Sequence, residues 1–176
     1  MKGLINGLTA SLVLVSASSF AHTGHTMQAS FSQGFLHPLT GWDHLFALSL
    51  IGLFLSSFAL RRASQISAGI MAAIIGGYAI GLEWSSASSA ETLVASSLIG
   101  LPLALLVLKK GGLKSVIAAS AILLFSLAHG LVQGAEAQGA FAQFGLGVML
   151  ASVMVIGVTY SISRQVTALI ARLARQ

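Results

Sequence analysis

Between residues 41 and 163 the chain is little more than five long apolar runs, joined by connectors of three to six residues. They lie near Gly41–Leu60, Ser64–Trp84, Ala90–Leu108, Ser115–Gln133 and Ala140–Ser163. About 20 apolar residues cross a bilayer as a helix, so each run is long enough to span. A water-soluble core of this size has nowhere to hide them, and only 7% of the residues are charged where a soluble domain carries about 25%. The expected fold is therefore all-α, a polytopic transmembrane helix bundle with no separate catalytic domain. Short connectors make neighbouring helices antiparallel, and Pro102 is expected to kink the third. Gly69, Ala73, Gly77 and Gly81 recur every four residues, a stripe that lets a second helix approach closely.

Residues 1–21 read as a signal peptide: Lys2 begins it, Leu4 to Val15 form a short apolar stretch, and Ser19-Phe20-Ala21 is a small-x-small cleavage site. Cleavage leaves five helices; retention as an anchor makes six. Residues 22–163 then form the bundle with a short exported N-terminal segment. Residues 164–176 are a basic tail with Val166, Leu169, Ile170 and Leu173 at helical spacing, suited to lie on the inner membrane surface.

Nine Lys and Arg against four Asp and Glu give a net charge of +5, but their placement indicates orientation rather than nucleic-acid binding. Arg61, Arg62, Lys109, Lys110, Lys114, Arg164, Arg172 and Arg175 fall on one side of the bundle if the runs alternate. Asp43, Glu83, Glu91 and Glu136 fall on the other. The basic side is cytoplasmic by the positive-inside rule, which puts the mature N-terminus outside the inner membrane and the C-terminus inside.

The same alternation gathers all five His (His22, His25, His37, His44 and His129) on the outer side with the carboxylates. Ionisable groups at membrane depth mark pathways or sites. Imidazole with carboxylate, in a chain without cysteine, suits a borderline divalent cation such as nickel, cobalt or zinc. The densest group is His37-Pro38-Leu39-Thr40-Gly41-Trp42-Asp43-His44. On a straight helix His37 and His44 share a face about 10 Å apart, too far for one ion without a bend. A residue before proline avoids the α conformation, so His37 is expected on a loop that folds back. Thr40-Gly41-Trp42-Asp43 has the form of a capping box, so Asp43 is either a cap or a ligand, and Trp42 suits the interfacial belt. His44 is the first choice as ligand. His129 and Gln133 share one face of the fourth run; a lone His129 would read as a packing histidine, but with Gln133 and Glu136 beside it the segment reads as part of a site. Glu91 closes another capping box, Ser88-Ser89-Ala90-Glu91. His22, His25 and Met27 are either a metal-collecting arm or ordinary loop polarity.

The segment from His37 to His44 resembles the signature His-Pro-x-x-Gly-x-Asp-His of the HupE/UreJ family of bacterial nickel and cobalt permeases. Ser126 to Glu136 is similar to a second family stretch, His-Gly-x-x-His-Gly-x-Glu, with Gln133 where the second His is expected. The resemblance implies a metal transporter, not an enzyme, with nickel or cobalt as cargo, no prosthetic group, and His37, Asp43, His44, His129, Glu136 and Glu91 as site residues. A membrane-embedded metal-dependent hydrolase and a metal-binding accessory or sensor subunit are the alternatives. Gly111-Gly112-Leu113-Lys114-Ser115 lacks the Walker A spacing, so ATP is not used by this chain itself.

Overall fold

The computed structural model describes residues 30–84, 88–137 and 139–175. The proposed signal peptide and the His22 and His25 arm lie outside the described residues. Six helices follow in order: α1 (Phe31–Thr40), α2 (Trp42–Leu55), α3 (Leu60–Gly81), α4 (Ser88–Leu108), α5 (Gly112–Glu136) and α6 (Phe141–Leu173). Helices α3 to α6 are each long and apolar enough to cross a membrane, and α1 with α2, bent by 75° at the break between them, makes a fifth if the pair is counted as one span. The chain is an all-α membrane bundle.

The first span differs from the uninterrupted Gly41–Leu60 helix expected. Helix α2 has 14 residues, about 21 Å at 1.5 Å per residue, short of the roughly 30 Å hydrocarbon core. It ends where Ser56 and Ser57 turn their hydroxyls onto the carbonyls of Leu53 and Phe54, at 2.6 and 2.7 Å. The missing length is upstream. Helix α1 starts where the Ser30 hydroxyl accepts the Gln33 amide at 3.3 Å, an N-cap that removes one orphan donor. His37 is therefore helical, not on a loop. Pro38 is buried, and tight packing overrides the pre-proline preference: a Cβ on Gly34 would overlap the Phe144 carbonyl, and one on Gly147 the Phe31 carbonyl. Thus α1 is seated on the start of α6 while α2 turns down into the bundle.

Helices α3 and α5 interlock through glycines. A Cβ on Gly77 would overlap the Leu127 carbonyl, on Gly81 that of Leu131, on Gly130 that of Ile74, and on Gly134 that of Tyr78. The expected stripe does not take part over its full length, since Gly69 has nothing beside it. Gly69→Ala should accordingly leave the melting temperature in detergent unchanged or slightly higher, because alanine is about 1 kcal/mol better than glycine in an open helical position; a marked drop would contradict this packing. Pro102 sits inside α4 without ending it. Between α4 and α5 the chain reverses at Gly111 and Gly112, with φ of 76° and 60°, a left-handed region open chiefly to glycine.

The charges segregate as their spacing implies. The basic connectors meet at one end, where the Lys109 ammonium stands 5.3 Å from the ring centres of both Phe54 and Phe58. Asp43, Glu83, Glu91 and Glu136 lie at the other end. Helix α6 runs unbroken for 33 residues, about 50 Å, so residues 164–173 continue it as an exposed extension without a separate start.

Candidate metal site

The carboxylate-bearing end holds three imidazoles from three helices. The 75° bend at Gly41 brings His37 of α1 back over the first turn of α2, so that its Nε2 lies 3.3 Å from Nε2 of His44. The ring centres are 5.0 Å apart, half the straight-helix separation. Gly41 is needed for space: a Cβ there would stand 2.9 Å from Cδ2 of His44 and 3.2 Å from Oδ1 of Asp43. The opposite nitrogen of His44, Nδ1, meets Nδ1 of His129 at 2.8 Å. Ser97 of α4 completes the row, its Oγ 2.9 Å from Nε2 of His129. Because that hydroxyl donates to the Val94 carbonyl at 2.6 Å, it accepts from the His129 ring, which leaves the Nδ1 lone pair turned toward His44. A hydrogen bond on the far ring nitrogen is how a histidine ligand is usually oriented.

His44, His129 and Ser97 are buried. His37, with side-chain exposure of 16%, lies nearer the surface, and its Nε2 is 3.5 Å from Oε2 of Glu136. The ring of Phe144 backs it edge-on at 5.7 Å between centres, and the Tyr78 hydroxyl pins the start of α6 by donating to the Phe141 carbonyl at 2.5 Å. The result is a file of polar groups, Glu136, His37, His44, His129 and Ser97, leading from the bundle's end into its interior.

Asp43, in the first turn of α2, accepts the His44 amide at 2.9 Å, which satisfies one of the open backbone donors there and fixes the backbone that carries the central imidazole. The capping box is not formed, because the Thr40 hydroxyl donates back into α1, to the Leu36 carbonyl at 3.0 Å. Glu91 is exposed in the first turn of α4, about 9 Å along the axis from Ser97, outside the file. Trp42 is 72% exposed, as an interfacial residue should be. Ser97 carries a signal in the sequence, as a polar residue at mid-depth and as the Ser that follows the helix-starting Glu in the family pattern it resembles; Tyr78 and Phe144 carry none, since aromatic residues in apolar helices are ordinarily packing.

The spacings suit coordination. Two atoms bound to one ion at about 2.1 Å stand roughly 3.0 Å apart at a right angle and 3.4 Å apart at the tetrahedral angle. The His37–His44 and His37–Glu136 separations of 3.3 and 3.5 Å are close to the second value. The rings are nevertheless linked pair by pair: among the described residues, no three His, Asp or Glu side chains surround a single ion position. A single ion could be shared by three of these side chains only if they left the positions they hold here.

Beneath the imidazoles is a cavity of about 20 Å³, lined at the top by His44, His129 and Gln133 and further in by Ser126, Ser152 and apolar residues including Ile51 and Phe125. One water needs about 10–15 Å³ of such space, so the cavity takes a single small occupant.

Comparison with known proteins agrees with this architecture. "Protein HupE" of Rhizobium leguminosarum bv. viciae is 26% identical over 157 residues, covering 85% of this chain and 81% of that protein. No solved structure matches. Residues 10–176 match the family described as HupE / UreJ protein, and with that match over nearly the whole length the chain belongs to the HupE / UreJ family.

Proposed function

We propose that this protein imports a divalent transition-metal ion, nickel or cobalt, captured on the outer side by His37, His44 and Glu136 and drawn inward to His129. The observation that carries the reading is the continuous file of three imidazoles contributed by α1, α2 and α5, with nitrogen–nitrogen separations of 3.3 and 2.8 Å. Nitrogen and carboxylate donors without thiolate favour such an ion over magnesium or calcium. Asp43 acts by holding the backbone of His44. The cavity continues the row of polar residues inward past His129 to Gln133, Ser126 and Ser152, and a polar path that goes on inward favours transport over the hydrolase reading. Segregation of the basic residues supports a cytoplasmic C-terminus in the inner membrane; a reporter fused after Gln176 should be active only in the cytoplasm.

Binding of nickel or cobalt to the purified protein tests the site. The expected result is weaker binding in His37→Ala, His44→Ala and Asp43→Asn, with Asp43→Asn lowering stability only slightly, because its amide oxygen still accepts the His44 N–H and only the negative charge in the first helical turn, worth about 0.3–1 kcal/mol, is lost. Wild-type affinity in all three would remove the assignment. Gln133, whose amide lies 3.5 Å from Nδ1 of His44, offers a test in the opposite direction. Gln133→His replaces a weak amide ligand with a stronger nitrogen donor, so affinity should rise and release should slow.

A further inference from the structure

Two of the residues that line the cavity below the imidazoles, Gln133 and Ser152, each carry a polar atom that the protein itself does not satisfy. Oε1 of Gln133 and Oγ of Ser152 have no hydrogen-bond partner, although the two residues are only 2% and 1% exposed. An orphaned buried polar group costs about 1–3 kcal/mol, and native proteins rarely leave one without a partner. Ser152 also differs from the other buried helical serines, Ser97 and Ser126, which each donate to a carbonyl three or four residues back in their own helix and so quiet the hydroxyl in an apolar setting. Ser152 makes no such bond, and it lines the same small cavity as Gln133.

The two residues come from different helices, α5 and α6, and both atoms are neutral oxygens. We infer that the cavity is a second, oxygen-donor station for the cation, in which Gln133 Oε1 and Ser152 Oγ are ligands after the ion leaves the imidazoles. This rests on the metal-import reading and deepens it. Neutral oxygen holds nickel or cobalt less tightly than imidazole nitrogen, and a way-station must release its ion inward. When no ion is present, the space suits one water bridging the two oxygens.

The test exploits the absence of cysteine from the chain. In the full-length protein carrying Ser152→Cys, cobalt or nickel reaching this position should bind a sulfur deprotonated by the ion itself and produce a thiolate-to-metal charge-transfer band in the near ultraviolet. Uptake should slow because the soft ligand retains the ion. Ser152→Ala should keep wild-type cobalt affinity at the outer imidazoles and lower flux into proteoliposomes about tenfold. Absence of the thiolate band in folded Ser152→Cys protein would overturn the inner station while leaving outer capture intact, the cavity then holding water alone. If Ser152→Cys does not fold, wild-type flux in Ser152→Ala overturns it instead. A wild-type protein that binds neither cobalt nor nickel would overturn the import reading, and the station with it.

Discussion

Alanine at position 44 should abolish metal uptake in cells at matched membrane protein levels. His44 is the middle member of the file, within 3.3 Å of His37 on one side and 2.8 Å of His129 on the other. Its removal deletes one donor and separates the two remaining imidazoles. Losing an outer-shell partner of a ligand typically costs 10–100-fold in affinity or activity; loss of the central ligand should exceed roughly 100-fold. The substitution also strips His129 of a buried partner, at about 1–3 kcal/mol, so melting must be measured alongside transport. His44→Gln fills more of the space and keeps a polar end, and should recover stability without recovering uptake. Uptake within twofold of wild type in His44→Ala would sink the assignment.

The α3–α5 seam should be nearly as sensitive, through packing alone. Gly130→Ala sets a methyl group against the Ile74 carbonyl, and Gly77→Ala sets one against that of Leu127. Overpacking typically costs about 1–3 kcal/mol. Here the obstacle is backbone rather than a flexible side chain, so each substitution should fall at the upper end and the double variant should fail to assemble. Gly76→Ala, on the same helix as Gly77 but with open space beside it, is the control. The seam also sets the position of His129, next to Gly130, so uptake should fall along with the melting temperature. Equal melting of Gly130→Ala and Gly76→Ala would show that the two helices do not approach this closely.

Much of this was legible because membrane topology is a strong constraint. Alternating spans assigned His44, His129 and Glu136 to one end without any knowledge of contacts, and the motif around His37 identified the family. The break in the first span was not legible. Helix α1 is only ten residues long, contains Ser32, Gln33 and Pro38, and owes its helical state to a seat on α6 that no local pattern announces. The glycine stripe read correctly as a close-approach surface but extended one repeat too far, because periodicity identifies a face and not the length over which it is covered. Ser152 had no sequence signal at all. A serine in an apolar helix usually bonds its own backbone, and only the coordinates distinguish one that does not.

The bend at Gly41 has a consequence for where binding energy originates. The signature from His37 to His44 is contiguous in sequence, yet the 3.3 Å contact between its two rings is not what sets the angle between the helices that carry them. The fold of α1 back over α2 is maintained by Gly34 and Gly147, whose bareness lets α1 and α6 touch. An excised peptide spanning residues 31–55 should therefore bind metal far more weakly than the intact chain, since it must supply from the ion alone the ordering that the bundle provides in advance. In this protein ligand preorganisation is a tertiary property of an apparently local motif, and substitutions at Gly147, remote in sequence from every donor, should register as lost affinity.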